Sequence, residues 1–477
     1  MTKQILLGLS MLISPSLSFS QLVSDTFLVN YTTQQVDSIY TANGIPPFAG
    51  EVNYPVDTYK IIYKTPGPLG DTTIASGALF VPQNAPCGAP IISYQHGTIS
   101  KNANVPSKMG GEFMIGVIAA SHGYVVSMPD YLGMGDGPGF HPYCHAATEA
   151  SATLDMIRSS KAFCSNSGVA LNDQLFLMGY SQGGHATMAT SREIELYYPS
   201  EFNLVASVPM AGPYDISGVQ RELLESDSVY SQPGYLPYIM LGYNEVYNIF
   251  DSLPQVLKAP YDSLVEVLFD GTYGIGSINN YMLDVPKLMI DSAYYANYDA
   301  DSLHPFKEAL RDNDLYDWTP ENYIMMIHCN GDEVIPFEHS QIAYDAFVAA
   351  GSDSVFLSDA GAFGHSDCAE SAILGAKIFI DSRAQFCGSS AIVQEKTEFT
   401  DLKVFPNPNT GSFNVYTGPQ KTGTIMVLDI LGRQALSLTL SGENMYPINL
   451  REHGAGIYHI VVTGEKADVY TTKVVVQ

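Results

Sequence analysis

Basic side chains are scarce in this chain. Its 477 residues carry 22 lysines and arginines against 49 aspartates and glutamates, a formal charge of −27. Nucleic-acid phosphates are held by a cationic surface, so this balance excludes nucleic acid as a partner. The acidic excess reads as a solvated surface that favours solubility. Also missing near the start is an apolar run of the ~20 residues that a membrane helix needs. The run from Ile5 to Ile13 is too short, follows a single lysine, Lys3, and leads to Ser18-Phe19-Ser20. That layout predicts a signal peptide over residues 1–20, cut next to Gln21. Metal ligands at recognisable spacing are lacking as well. His141, Cys144 and His145 cluster in HPYCH, but no complementary set accompanies them, so no metal and no cofactor is expected.

Cysteine is limited to Cys87, Cys144, Cys164, Cys329, Cys368 and Cys387. In an exported chain these are candidates for three disulfides. One pairing is excluded by length. HAATEASATLDMIRSSKAF, between Cys144 and Cys164, reads as a helix, and twenty helical steps of ~1.5 Å separate the two by about 30 Å, beyond disulfide reach. Each of them has another partner or stays reduced.

What is present is an ordinary globular composition, 46% hydrophobic and 11% aromatic, long enough for two domains. The acidity is uneven. From Glu395 to Gln477 there are 7 basic and 8 acidic residues, which leaves 15 basic against 41 acidic upstream, and the tail has no cysteine. A boundary near residue 395 follows, between a domain over 21–394 and one over 395–477. Short alternating runs in the tail, SFNVYT, TIMVLDI, ALSLTL, IYHIVVT and VYTTKVVV, are parted by Gly, Asn and Pro turns and predict a small all-β sandwich. VFPNPNTG, LDILGRQ, GAGIYHIVV and the closing KVVV resemble the C-terminal sorting domain of the type IX secretion system. That resemblance implies a Gram-negative host, export across the outer membrane by the secretion machinery, and removal of the tail on the way. A carbohydrate-binding or adhesive β-module is the alternative.

Upstream, apolar runs alternate with amphipathic stretches. YKIIYKT and IASGALFVP form an opening hairpin. PIISYQHGT, YVVSMPDYLG, QLFLMGYS, LVASVPMAG, YIMMIHCNGD and SVFLSDAG read as strands, with helices such as GGEFMIGVIAASHG, ATMATSREIELYY and SQIAYDAFVAA between them. An α/β domain follows, a mostly parallel sheet with helices on both faces. One insertion breaks the rhythm: residues 214–320 hold 13 of the 31 tyrosines and are far longer than a crossover, which predicts a helical cap. Within it, Leu236, Ile239, Met240, Tyr243, Tyr247 and Phe250 recur at helical spacing and form one apolar face. Tyr243 and Tyr247 are the candidates there for binding an apolar part of a substrate; packing of the cap onto its core is the alternative.

GYSQGG, Gly179 to Gly184, lies between a predicted buried strand and a predicted helix. In that setting Ser181 would stand on a sharp turn as a nucleophile, with Gly179 and Gly183 kept small by the neighbouring strand and helix. A serine hydroxyl needs a base and an orienting acid. Asp332, just after the strand YIMMIHC, and His365, just after SVFLS, supply them in the order Ser, acid, His. Glu333 would point elsewhere from the same turn, His339 falls on a helix, and His185 is too close to Ser181 and reads as a packing or capping residue. The backbone N–H of Gln182 is one candidate for holding an oxyanion, and that of Thr98, with Gly97 as alternative, is the other. Asp130 and Tyr131 in PDYLG are read as shaping the pocket floor or as structural residues, and Tyr131 is carried as a substrate-binding candidate.

Taken in order, YQHGT, PDYLGMGDGPGFHPYCH, GYSQGGH, NGDEVIP and Gly364-His365 resemble the secretory lipase and esterase group of α/β-hydrolases over roughly residues 50–385. The resemblance implies hydrolysis of carboxylic esters, lipids included, through an acyl-enzyme on Ser181. The same fold and residues also serve serine peptidases, although no propeller-like repeats and no evident acidic pair for a peptide N-terminus are found here. Outside enzymes, a surface-binding or adhesion protein is the alternative.

Overall fold

The computed structural model of the protein describes residues 22–43, 45, 50–386, 402–417, 423–429, 434–464 and 469–477. The expected signal peptide and the expected boundary at 395 lie outside these residues. Nine strands form one sheet: β1 (Leu22–Tyr31), β2 (Val56–Pro66), β3 (Thr72–Pro82), β4 (Ala89–Gln95), β5 (Val125–Pro129), β6 (Leu171–Tyr180), β7 (Asn203–Met210), β8 (Tyr323–His328) and β9 (Val355–Asp359). Their order is β1-β2-β3-β5-β4-β6-β7-β8-β9. The first three and the β3–β5 pair are antiparallel, and from β5 onward every pair is parallel.

The helices packed on this sheet are α1 (Thr33–Ala42), α2 (Phe113–Ser121), α3 (Ala146–Ser167), α4 (Gln182–Tyr197), α11 (Glu338–Ala349) and α12 (His365–Asp381). Central strands β4 and β5 are buried along their whole length, as their unbroken apolar runs require when helices cover both faces. Three clusters share the core, one with Phe80, Tyr94 and Phe176, one with Ile61, Leu79 and Leu177, and one with Met188, Ile324 and Phe347. The alternation of side chains along β3 and β6 sends neighbours to opposite faces.

Between β7 and β8 the cap carries α5 (Arg221–Leu224), α6 (Tyr235–Tyr247), α7 (Tyr261–Leu268), α8 (Ile275–Asn279), α9 (Ser292–Ala300) and α10 (Pro305–Asp312). It has its own apolar core, including Tyr238, Val265, Met289 and Phe306. Among the described residues, no helix is long and apolar enough to cross a membrane.

The tail is all-β. One antiparallel sheet joins β10 (Lys403–Phe405), β11 (Ser412–Tyr416) and β14 (Met445–Asn449); the other joins β12 (Gly423–Asp429), β13 (Gln434–Thr439), β15 (Gly456–Gly464) and β16 (Val469–Val476). Phe413 and Val415 from one sheet and Ile425, Val427 and Ile460 from the other share one buried cluster, the period-two pattern of a sandwich.

Three disulfides are not formed, and Cys144 and Cys164 take the second of their two expected outcomes, staying reduced. Cys329 and Cys368 are bonded, and Cys87 is also in a disulfide, but Cys144 and Cys164 are free and buried. They sit in different apolar clusters, Cys144 in the cap core and Cys164 beneath the sheet, where a thiol behaves as a small hydrophobe.

Candidate active site

The parallel strands β4, β6, β7 and β8 end on one edge of the sheet, and the predicted site residues follow those ends. Ser181 sits between β6 and α4 with φ 61° and ψ −122°, a left-handed backbone that a non-glycine residue adopts only when its surroundings enforce it. Its N–H donates to the Met210 carbonyl at 2.9 Å. The glycines around it are compulsory. A Cβ on Gly179 would lie 2.4 Å from the Gly183 carbonyl oxygen, and one on Gly183 would lie 1.9 Å from that of Gln95.

Ser181, His365 and Asp332 are brought together in one hydrogen-bonded chain. His365 Nε2 is 2.9 Å from Ser181 Oγ, and His365 Nδ1 is 2.6 Å from Asp332 Oδ2. All three are buried. With a carboxylate facing Nδ1, the proton belongs on that nitrogen, and Nε2 is left to accept from the serine hydroxyl. Asp332 Oδ1 accepts the backbone N–H groups of Val334 and Ile335 at 3.0 and 2.8 Å. Burial pulls its pKa upward, but hydrogen bonds from His328, His365 and the Ile335 backbone outweigh it and hold the carboxyl well below its ordinary range.

His328 is a residue that the sequence reading passed over. It closes β8, and its Nε2 lies 3.2 Å from Asp332 Oδ2 and 2.9 Å from the Ile335 carbonyl, while Nδ1 faces Ser340 Oγ at 2.8 Å. Two acceptors at Nε2 put the proton there, so His328 is a second imidazole donor to the aspartate. Its only signal in the sequence is its place four residues before Asp332 at a strand end.

Two further ties fix the base. The Tyr180 hydroxyl donates to the His365 carbonyl at 2.6 Å, and the Cys329–Cys368 disulfide joins the residue three before Asp332 to the residue three after His365. The competitors have other partners. Glu333 accepts the backbone N–H of His365 at 3.1 Å rather than its ring; His339 accepts the Asp215 N–H at 3.1 Å; His185 pairs with Glu149 at 2.7 Å.

The backbone N–H of Gln182, the first residue of α4, has no acceptor among the described residues, as expected at a helix start, and that of Thr98 has none either. Gly97 is corrected: its N–H already donates to the Glu112 carboxylate, at 3.2 and 3.3 Å, and is not available to a substrate oxygen. The Thr98 hydroxyl shares a hydrogen bond with the Tyr143 hydroxyl at 2.9 Å.

The three tyrosines expected to contact substrate each have a structural partner. Tyr131 is buried, with its ring stacked on His141 and its hydroxyl donating to the His96 carbonyl at 3.1 Å, so it props the loop from below. Beside it, Asp130 accepts from Ser76 Oγ and the Ser107 N–H at 2.6 and 2.9 Å, a structural role. On α6, Tyr243 donates to the Cys144 carbonyl at 3.1 Å, and Tyr247 donates to Asp312 at 2.6 Å. The apolar face of α6 is continuous but divided along its length. Its later part packs against Cys144 and α10, and its earlier part, Leu236, Ile239 and Met240, lines a slender cavity with Phe306 and Leu310. The cavity volume is about 30 Å³. A second cavity shares Ile216, Leu224 and Ile239 with it and is also lined by Tyr143 and Ile335. Tyr143 shares a hydroxyl hydrogen bond with Thr98, and the Ile335 N–H donates to Asp332, so this second cavity is bordered by residues that touch the serine edge.

Cys144, Glu149 and His185 lie close enough to suggest metal ligands. Their geometry argues otherwise. His185 Nδ1 is 2.7 Å from Glu149 Oε2, a hydrogen bond, whereas two ligands at ~2.0–2.1 Å on a tetrahedral zinc stand about 3.4 Å apart.

Comparison with known proteins agrees with this architecture. The family model for secretory lipases matches residues 106–385, more than half of the chain, and the model for the secretion-system C-terminal sorting domain matches residues 403–477. Lipase A of Arthroderma benhamiae is 28% identical over 184 residues, 34% of this chain; the chain spans only 38% of that relative's length. Among solved structures, a rice cell wall degrading esterase, LipA from Xanthomonas oryzae, is 29% identical with a TM-score of 0.68, covering 76% of this chain and 98% of its own. A putative hydrolase from Legionella pneumophila is 27% identical with a TM-score of 0.70, covering 76% and 97%. Candida antarctica lipase A in its closed state, at 15% identity, a TM-score of 0.58 and coverage of 76% and 81%, shares the fold.

Proposed function

Because the chain belongs to the secretory lipase family, we propose that it hydrolyses carboxylic esters through an acyl-enzyme on Ser181. The observation that carries this reading is the unbroken chain from Ser181 Oγ through His365 to Asp332. As Ser181 attacks the ester carbonyl, His365 Nε2 takes the hydroxyl proton, and Asp332 stabilises the imidazolium that forms. The carbonyl oxygen becomes an anion, which the N–H groups of Gln182 and Thr98 are suited to receive. His365 then gives its proton to the departing alkoxide. Water, deprotonated by the same nitrogen, releases the acid and restores the serine.

The acyl chain is directed toward the cap, where Ile239 lines both apolar cavities. Apolar lining favours longer chains by ~0.8 kcal/mol per buried methylene, about fourfold in kcat/KM for each carbon that fits. The Xanthomonas neighbour's action on plant cell walls makes polymer-borne esters a substrate class to assay beside free lipid esters. Residues 21–394 form the working enzyme, and the tail over 395–477 addresses it to the secretion machinery for export across the outer membrane.

The test uses the purified protein with p-nitrophenyl esters, dipeptide amides and a fluorophosphonate label. Ester turnover, labelling of Ser181, and a loss of at least about 10³-fold in kcat for Ser181→Ala with an unchanged melting temperature are expected. Faster amide than ester cleavage would make it a peptidase, and a folded protein that neither labels nor turns over would be a binding protein.

A further inference from the structure

The first turn of α4 is Gln182, Gly183, Gly184 and His185. Two of these four residues have no side chain, and the glycines are forced, since a Cβ on Gly184 would also lie 2.3 Å from the Met210 carbonyl oxygen. The turn that must hold an N–H steady therefore has only two side chains by which to be anchored. Both end on one carboxylate. Gln182 Nε2 donates to Glu149 Oε1 at 2.8 Å, and His185 Nδ1 faces Glu149 Oε2 at 2.7 Å. Glu149 is on α3 and is buried at 1% exposure.

The rest of the network is equally constrained. Gln182 Nε2 also donates to His141 Nε2 at 2.7 Å, and His141 can accept because its Nδ1–H is spent on the Leu132 carbonyl at 2.9 Å. His185 Nε2 faces the Asn313 carbonyl at 3.1 Å, and the Asn313 amide reaches the cap, donating to Tyr247 at 3.0 Å and to the Ala309 carbonyl at 2.8 Å. One proton therefore lies on His185 Nε2 and one between Nδ1 and the carboxylate, which leaves the buried pair neutral overall. A lone buried carboxylate would be costly; this one is matched.

We propose that Glu149 is a positioning residue for the ester-cleaving reaction: it clamps both side chains of the first turn of α4 and so fixes the Gln182 N–H where the oxyanion forms. The proposal rests on the acyl-transfer reading of Ser181. An N–H that serves only the developing oxyanion affects the transition state and not substrate binding, so its displacement lowers kcat and spares KM.

The experiment measures kcat and KM on p-nitrophenyl butyrate, with kcat divided by the fraction of protein labelled to completion by fluorophosphonate, so that misfolded molecules do not count. Glu149→Ala should lose about 10- to 100-fold in kcat per labelled site with KM within about twofold, somewhat less than complete loss of an oxyanion donor. Gln182→Ala should lose a similar amount, and the double variant little more, because both changes release one clamp. Glu149→Gln should recover most of the loss, since its carbonyl can accept from Gln182 while its amide donates to a neutral His185 Nδ1. Wild-type kcat per labelled site in Glu149→Ala, or additive losses in the double variant, would overturn the proposal; if Glu149→Ala does not fold, an unimpaired Gln182→Ala overturns it. A wild-type protein that neither labels nor cleaves esters would instead remove the acyl-transfer reading itself, and the clamp's role with it.

Discussion

His339 is fully buried between the end of β7 and the cap, accepting from the Asp215 N–H and donating to Gln220 at 3.2 Å. Accepting the Asp215 N–H needs a neutral ring. Burial, reinforced by the nearby His328, pushes its pKa from 6.5 down to about 3. The unfolded chain therefore binds this proton first as the solution is acidified. The stability His339 contributes is complete above pH 6.5 and is lost as pH falls from there towards 3, by up to ~1.4 kcal/mol per pH unit. Glutamine can make the same two bonds without titrating. Thermal melts from pH 8 to 4 should show wild type losing more stability than His339→Gln on the acid side, and parallel curves would refute the assignment. At this scale, Ser181, Asp332 and His365 were legible because each follows a strand with a distinctive local pattern. His328 and Glu149 were not: the role of His328 depends on how the turn after β8 folds Asp332 and Ser340 back onto its ring, and that of Glu149 on α4 packing beside α3.

Among the elements, the cap helix α6 shows what periodicity conveys and what it omits. The spacing marks Leu236, Ile239, Met240 and Tyr243 as a buried face, with Tyr247 half-buried and Phe250 beyond the helix end, but burial against a cavity and burial against another helix leave the same pattern. Which part of the face lines a cavity depends on α10 and the Cys144 turn, and no feature of the α6 sequence encodes their position. Ile239 lines both cavities, so it is the residue to alter. Ile239→Ala should move chain-length preference by two or more carbons while acetyl ester turnover changes by less than about threefold, at about 2–5 kcal/mol of stability. Tyr243→Phe, which loses only the bond to the Cys144 carbonyl, should cost about 1 kcal/mol and leave the preference alone. Profiles across acetyl to palmitoyl esters decide between these outcomes, and the reverse pattern would return the acyl site to Tyr243. Edge strand β1 escaped the sequence reading for a different reason: its residues are mostly exposed, so LVSDTFLVNY has no buried alternation to detect.

For the molecule as a whole, the parallel sheet, the helical cap and the all-β tail follow from runs of apolar residues and from a change in charge, which are visible without a structure. Disulfide pairing is not, because it depends on the end of β8 meeting the first turn of α12. The Cys329–Cys368 bond has a bearing beyond stability. It closes a loop of 39 residues, and removing it should cost about 2–4 kcal/mol. Each cysteine is also three residues from a member of the Ser181 chain, so the bond sets how far the acid turn after β8 can drift from the imidazole at the head of α12. Cys329→Ser with Cys368→Ser should then lower kcat per labelled site at a temperature where the variant is still folded; full activity there would confine the bond to stability. The consequence is one of timing. Thiols stay reduced in the cytoplasm and become oxidised outside it, so in a secreted chain the tie between the acid turn and the base would form only after departure. A secreted hydrolase would thereby reach its full rigidity only outside the compartment in which it is made.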